Sequence, residues 1–178
     1  MQPQLKILQW ILIPGLMLCA SAPIAMTAND NAVYKVHIAP DMQLRALGPA
    51  RTTTHPMTAG NVSFNNQLWS ARTSSATGST VTFSSDHAFH NQSDVNYKRD
   101  ARLQLTRIVG TSSSGWQFDT VTDTTNYAAA DETATVQVSC RRPGNATIWL
   151  NVSFLTGNLA TLKGGQYQMT VVGTISEN

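Results

Sequence analysis

His87 and His90 stand three residues apart in the stretch SSDHAFHNQSDVNYKRD (84–100), flanked by Asp86 and Asp94. Imidazoles and carboxylates at short spacing are the donors zinc takes, but a zinc site needs at least three protein ligands. No third clear ligand stands in the stretch. Its polar composition predicts a solvated long loop, and that reading outweighs a metal centre. His37 and His55 have no acidic or cysteine companions nearby. No serine sits in a nucleophile elbow, and no glycine-rich run follows a strand to open a helix. The sequence therefore predicts no catalytic residue, no metal and no cofactor. Asn61, Asn91, Asn145 and Asn151 head Asn-Xaa-Ser/Thr triplets. Chance matches are common in a chain so rich in Asn, Ser and Thr, and Asn151 falls within an expected strand, a poor place for a glycan.

The elements that would position any site begin after a leader. MQPQLKILQWILIPGLMLCASAPIAMTA has Lys6, an apolar run from Ile7 to Leu18, and then small residues. That order is the pattern of a secretory signal peptide over 1–28, with cleavage between 22 and 28. The apolar run is too short for the roughly 20 residues that span a bilayer. An N-terminal extension, 29–40, then leads into one domain, 41–178. A net charge of +2 with 12% charged residues implies no nucleic-acid partner. Cys19 leaves with the leader, so Cys140 is the only cysteine of the mature chain, and the exported domain must hold together without an internal disulfide.

Almost nothing after the leader has helical periodicity, whereas alternation is frequent. AVYKVHI (32–38) places Ala32, Tyr34, Val36 and Ile38 on one face before Pro40 breaks the ladder. Strands are expected at MQLRAL (42–47), within GNVSFNNQLWS (60–70), at STVTFSS (79–85), and in GWQFDTV (115–121) through Trp116 and Phe118. ARLQLTRIVG (101–110) changes phase after Leu105, which predicts a bulge near Arg107. The clearest hairpin is TATVQVSCRRPGNATIWLNVSFL (133–155), turning at Pro143-Gly144. Ala134, Val136, Val138 and Cys140 share one face of its first strand, so Cys140 reads as a buried small hydrophobe. Ile148, Leu150, Val152 and Phe154 share one face of the second. Tyr167, Met169, Val171 and Ile175 alternate in the tail, with Gly173 among them. About eight short strands with turns between them predict an all-β antiparallel sandwich.

The tail LKGGQYQMTVVGTIS (162–176) resembles the last strand of chaperone–usher fimbrial subunits, and NDNAVYKVHIAPDMQLRAL (29–47) is similar to the start of colonisation-factor-like adhesive pilins. The chain departs from many pilins in lacking a cysteine pair near the N-terminus. The resemblance covers the two ends and the overall plan. It implies an immunoglobulin-like sandwich that lacks its final strand, with Tyr167, Met169 and Val171 at the edge of the open groove. It implies Tyr34, Val36 and Ile38 as the side chains of a donor strand that enters a neighbour's groove, with Pro40 as hinge. The implied partners are neighbouring fimbrial subunits, a periplasmic chaperone, an outer-membrane usher and a host receptor, with export through the periplasm to the cell surface. The alternative reading is a monomeric secreted β-sandwich that binds a carbohydrate or protein, with Trp69, Trp116 and Trp149 as candidate platforms.

Overall fold

The computed structural model describes residues 35–36 and 41–178. The expected signal peptide and most of the extension lie outside the described residues. The described domain is built from antiparallel strands and three short 3₁₀ turns. Its larger sheet contains β1 (Met42–Leu47), β2 (Val62–Ser63), β3 (Gln67–Thr73), β7 (Ala101–Gly110), β9 (Thr122–Thr124) and β11 (Gly144–Phe154). The second sheet contains β4 (Ser79–Ser85), β8 (Gln117–Thr120), β10 (Thr135–Cys140) and β13 (Val171–Glu177). A small third sheet joins β5 (Phe89–Asn91), β6 (Asp94–Arg99) and β12 (Tyr167–Gln168).

The spatial order is β1-β3-β11-β7-β9 in the larger sheet, with β2 also pairing β11, and β13-β4-β10-β8 in the second. Alternation explains why these segments face each other. Strand β4 buries Ser79, Val81, Phe83 and Ser85 and leaves the residues between them half-buried. On β10, Val136 sits opposite Phe83 and Val138 opposite Val81. Ala71, Leu103, Leu105, Ile148 and Leu150 from the larger sheet meet Val81, Phe83, Val136 and Val138 from the second. Each fully buried aliphatic or aromatic side chain contributes about 1.5–3 kcal/mol relative to leaving it in water. Cys140 is fully buried, and burial pushes its thiol pKa up.

The expected phase change on β7 is a bulge: Trp149 pairs Arg107 while the next residue, Leu150, pairs Leu105, so Thr106 is the extra residue. One expectation needs correction. The stretch 84–100 is not a long loop, because it forms β5 and β6. Its alternation was hidden because Val95 and Tyr97, on the edge strand β6, are exposed and not core residues. Phe118 lies in the expected strand, on β8 at the edge of the second sheet, and is 38% exposed.

A second, smaller core gathers Phe89, Ala101 and Phe154, with Val62, Phe64, Val152, Leu162, Tyr167 and Met169 packed against it. Phe89 and Phe154 meet edge to face at 5.3 Å, as do Phe154 and Tyr167. This cluster ties the small third sheet to the end of β11 and forms one side of a groove at the margin of the sandwich.

Candidate functional site: an apolar groove at the margin of the sandwich

Strands β1 and β13 are edges of different sheets on the same margin of the sandwich. Gly173 of β13 lies against Leu44 of β1 and Trp69 of β3. No described strand pairs the outer side of β1 or β13. Beside that contact, between the connection that follows β1 and the segment that leads into β13, lies a groove of about 1050 Å³. An unpaired edge presents backbone donors and acceptors in a row, which natural sheets normally cover or blunt.

The groove floor is apolar. Trp69 of β3, Phe89 of β5, and Leu150, Val152 and Phe154 of β11 all line it. Trp69 stands at 5.0 Å from Phe83, ring centre to ring centre, and so reaches across from one sheet to the other. One wall is Ala46 of β1 with the connection after it, including Arg51 and His55. Arg51 Nε donates to Gln67 Oε1 at 3.2 Å, and Gln67 Nε2 donates to the Leu47 carbonyl at 2.8 Å. His55 packs edge-on to Phe154 at 5.9 Å and shares a hydrogen bond with Thr156 Oγ1 at 2.8 Å.

The opposite wall is the segment from Leu162 to Val171. Tyr167, Met169 and Val171 are half-buried and line the groove. The strand period of two puts them on one face, and β12 and β13 hold that face toward the cavity. The turn ahead of them needs its glycine: Gly165 has φ +138°, and a Cβ there would come 2.7 Å from Asn91 Nδ2. Tyr167 Oη donates to the Lys163 carbonyl at 3.1 Å, and Lys163 Nζ pairs with Asp94 Oδ2 at 3.1 Å. Lys163 also caps the Tyr97 ring at 4.3 Å. Its hydrogen bond holds the Asp94 carboxyl below the ordinary carboxylate range, helped by the backbone N–H of Asn96. Among the described residues no Asp or Glu lines the groove, while Arg51 and Lys163 do.

Of the expected donor side chains, Tyr34 and Ile38 lie outside the described residues. Val36 is described, exposed and in no regular element. His87 and His90 come together, with Nδ1 atoms 3.1 Å apart and ring centres 4.1 Å apart. Asp86 Oδ2 stands 3.4 Å from His87 Nε2, but Asp94 is turned toward Lys163. Among the described residues no group of three or more His, Cys, Asp or Glu is placed to hold a metal ion. His37 lies outside the described residues.

Sequence reasoning treated Val152 and Phe154 as plain core and did not place His55 or Leu162 in any site. For Val152 and Phe154 the signal is a face of β11 that stays apolar through Phe154; His55 and Leu162 carry none. No family model matches the chain, and no curated protein or solved structure matches it. The groove has an apolar floor and alternating side chains, Tyr167, Met169 and Val171, on one wall.

Proposed function

We propose that this chain is a structural and adhesive subunit of a surface fimbria, polymerising by donor-strand complementation and mediating attachment to host cells. The observation that carries the reading is the groove at this margin, apolar at its floor and walled by the connection after β1 on one side and by Leu162–Val171, leading into the unpaired edge strand β13, on the other. A strand laid beside the wall segment leading into β13 would bond to its backbone and place alternate side chains on Trp69, Val152 and Phe154, which is β-strand addition. In this reading the sandwich is immunoglobulin-like and lacks one strand. A periplasmic chaperone fills the groove first, and an outer-membrane usher exchanges it for residues 31–38 of a neighbouring subunit. Tyr34, Val36 and Ile38 then occupy the groove, and Lys35 and His37 face solvent. The contact is heterologous, so its repetition gives an open fibre and not a closed ring.

The test has two arms. A synthetic peptide of residues 31–38 is added to protein starting at Asp41, produced with the chaperone. The expected result is a stoichiometric complex with a raised melting temperature and no fibres, while the full mature chain polymerises. Fibres from the shortened protein would overturn the donor assignment. A stable, chaperone-free monomer that ignores the peptide would overturn the fimbrial reading in favour of a monomeric secreted binder.

A further inference from the structure

The outward face of the larger sheet carries a pattern that the groove does not use. Strands β1, β3, β7 and β11 contain four arginines and no Asp or Glu. Pairing and alternation put all four, Arg45, Arg72, Arg102 and Arg107, on the side away from the core. Leu105, Ala71 and Leu150 point the other way into it. Leu47, Leu68, Trp149 and Arg107 lie in one row across four adjacent strands. Three strand spacings make that row roughly 14 Å long. At its end the Arg107 guanidinium stands 5.1 Å from the Trp149 ring centre. The neighbouring row, Arg45, Ser70, Thr147 and Val109, adds a second guanidinium and two hydroxyls. Asp41 stands 3.7 Å from Arg72 Nε in a pair that is mostly exposed and so weak. The Nε of Arg102 is buried without a hydrogen-bond partner.

We propose that this face binds an acidic glycan, a chain of sugar rings bearing sulfate or carboxylate groups. The indole of Trp149 is half-buried with the Arg107 guanidinium over its ring, and the part it leaves exposed offers an aromatic surface to a sugar ring beside a positive charge. The arginines supply forked donors that match sulfate and carboxylate oxygens, and Ser70 and Thr147 supply partners for hydroxyls. Other anionic partners fit less well. Strands β3 and β11, which carry Ser70, Thr147 and Trp149, are already paired on both sides, so an acidic peptide finds no backbone edge at the middle of the two rows. Leu47 and Leu68 are half-buried and do not protrude as a lipid surface would require. A net charge of +2 is low for nucleic acid. The face lies on the opposite side of its sheet from the groove, and the proposal holds whether or not the groove takes a strand.

The test titrates the purified full chain with a heparin-derived hexasaccharide and with its desulfated form, following tryptophan fluorescence. Sulfated sugar is expected to bind, more weakly as salt rises, and desulfated sugar to bind at least tenfold more weakly, as a charge-driven contact requires. Trp149→Ala and Arg107→Gln are each expected to weaken binding by roughly tenfold. Arg141→Gln, in the turn between β10 and β11, is expected to change it by less than about twofold. Arg45→Gln, on the exposed end of the face, decides the matter if Trp149→Ala loses its β-sheet circular dichroism. Equal binding by the Arg45 and Arg107 variants, equal binding of the desulfated sugar, or binding of anionic vesicles or an acidic peptide in preference to the hexasaccharide would each overturn the proposal.

Discussion

Gly173 lies against Trp69 so closely that a Cβ on the glycine would stand 2.9 Å from Trp69 Cζ3. The same Cβ would stand 2.9 Å from Leu44 Cδ2. The missing side chain is what lets the indole reach across to Phe83 between the two sheets, and it sets where the groove begins. Leu44 can swing its terminal methyl aside, but the rigid indole ring cannot yield without losing its contact with Phe83. Gly173→Ala is therefore expected to lower stability by about 1–3 kcal/mol through overpacking. The midpoint of urea unfolding measures this. An unchanged midpoint would mean that β13 moves away from the larger sheet freely.

Val171 begins β13 and lines the groove while remaining half-buried. Val171→Asp sets a carboxylate against an apolar floor that offers it no partner, which weakens both the fold and any strand docked there. Fibre yield in cells and peptide affinity in solution should both fall sharply. Normal fibre yield would place Val171 outside the working groove.

Cys140 is fully buried at the end of β10, opposite Ser79. Desolvation raises its pKa above the ordinary value of 9.0. The folded state thus holds the proton more tightly than the unfolded state. The resulting stability is fully present below about pH 9 and is lost as pH rises through the folded pKa. Cys140→Ala should remove that alkaline loss at a packing cost of about 1 kcal/mol at neutral pH. Thiol labelling of the native protein should be slow and should accelerate only with unfolding. Rapid labelling or a disulfide-linked dimer would contradict this burial.

The ion pair between Lys163 and Asp94 anchors the groove wall that carries Tyr167 and Met169. The Asp94 pKa is lowered from 3.8, so its contribution is present above that value and is lost as pH falls through the folded pKa. Lys163→Met removes the largest cause of the lowering. Carbon-detected NMR titration should then show the Asp94 carboxyl moving up toward the ordinary range. An unmoved carboxyl would mean that the Asn96 backbone N–H alone sets it.

Much of the fold was legible because its strands have one dry face. Met42–Leu47 and Ser79–Ser85 are read directly from alternation, as is the Thr135–Phe154 hairpin with Cys140 on its buried side. Strands β5 and β6 were not legible, because an edge strand of a small sheet leaves Val95 and Tyr97 in water and shows no periodic apolar face.

For the site, the sequence by itself determined that Tyr167, Met169 and Val171 share a face, since successive residues of a strand point to opposite sides. It likewise placed Trp149 opposite Leu150. Only the tertiary structure decided what each face looks upon. Whether an apolar face meets a closed core or an open groove depends on which strand lies across from it, and that is set by long-range pairing of β1 with β3 and of β13 with β4. The four arginines of the larger sheet are scattered over 45–107 in the chain. They form one charged face only because the β3–β11 and β11–β7 registers, together with the bulge at Thr106, bring them to the same side.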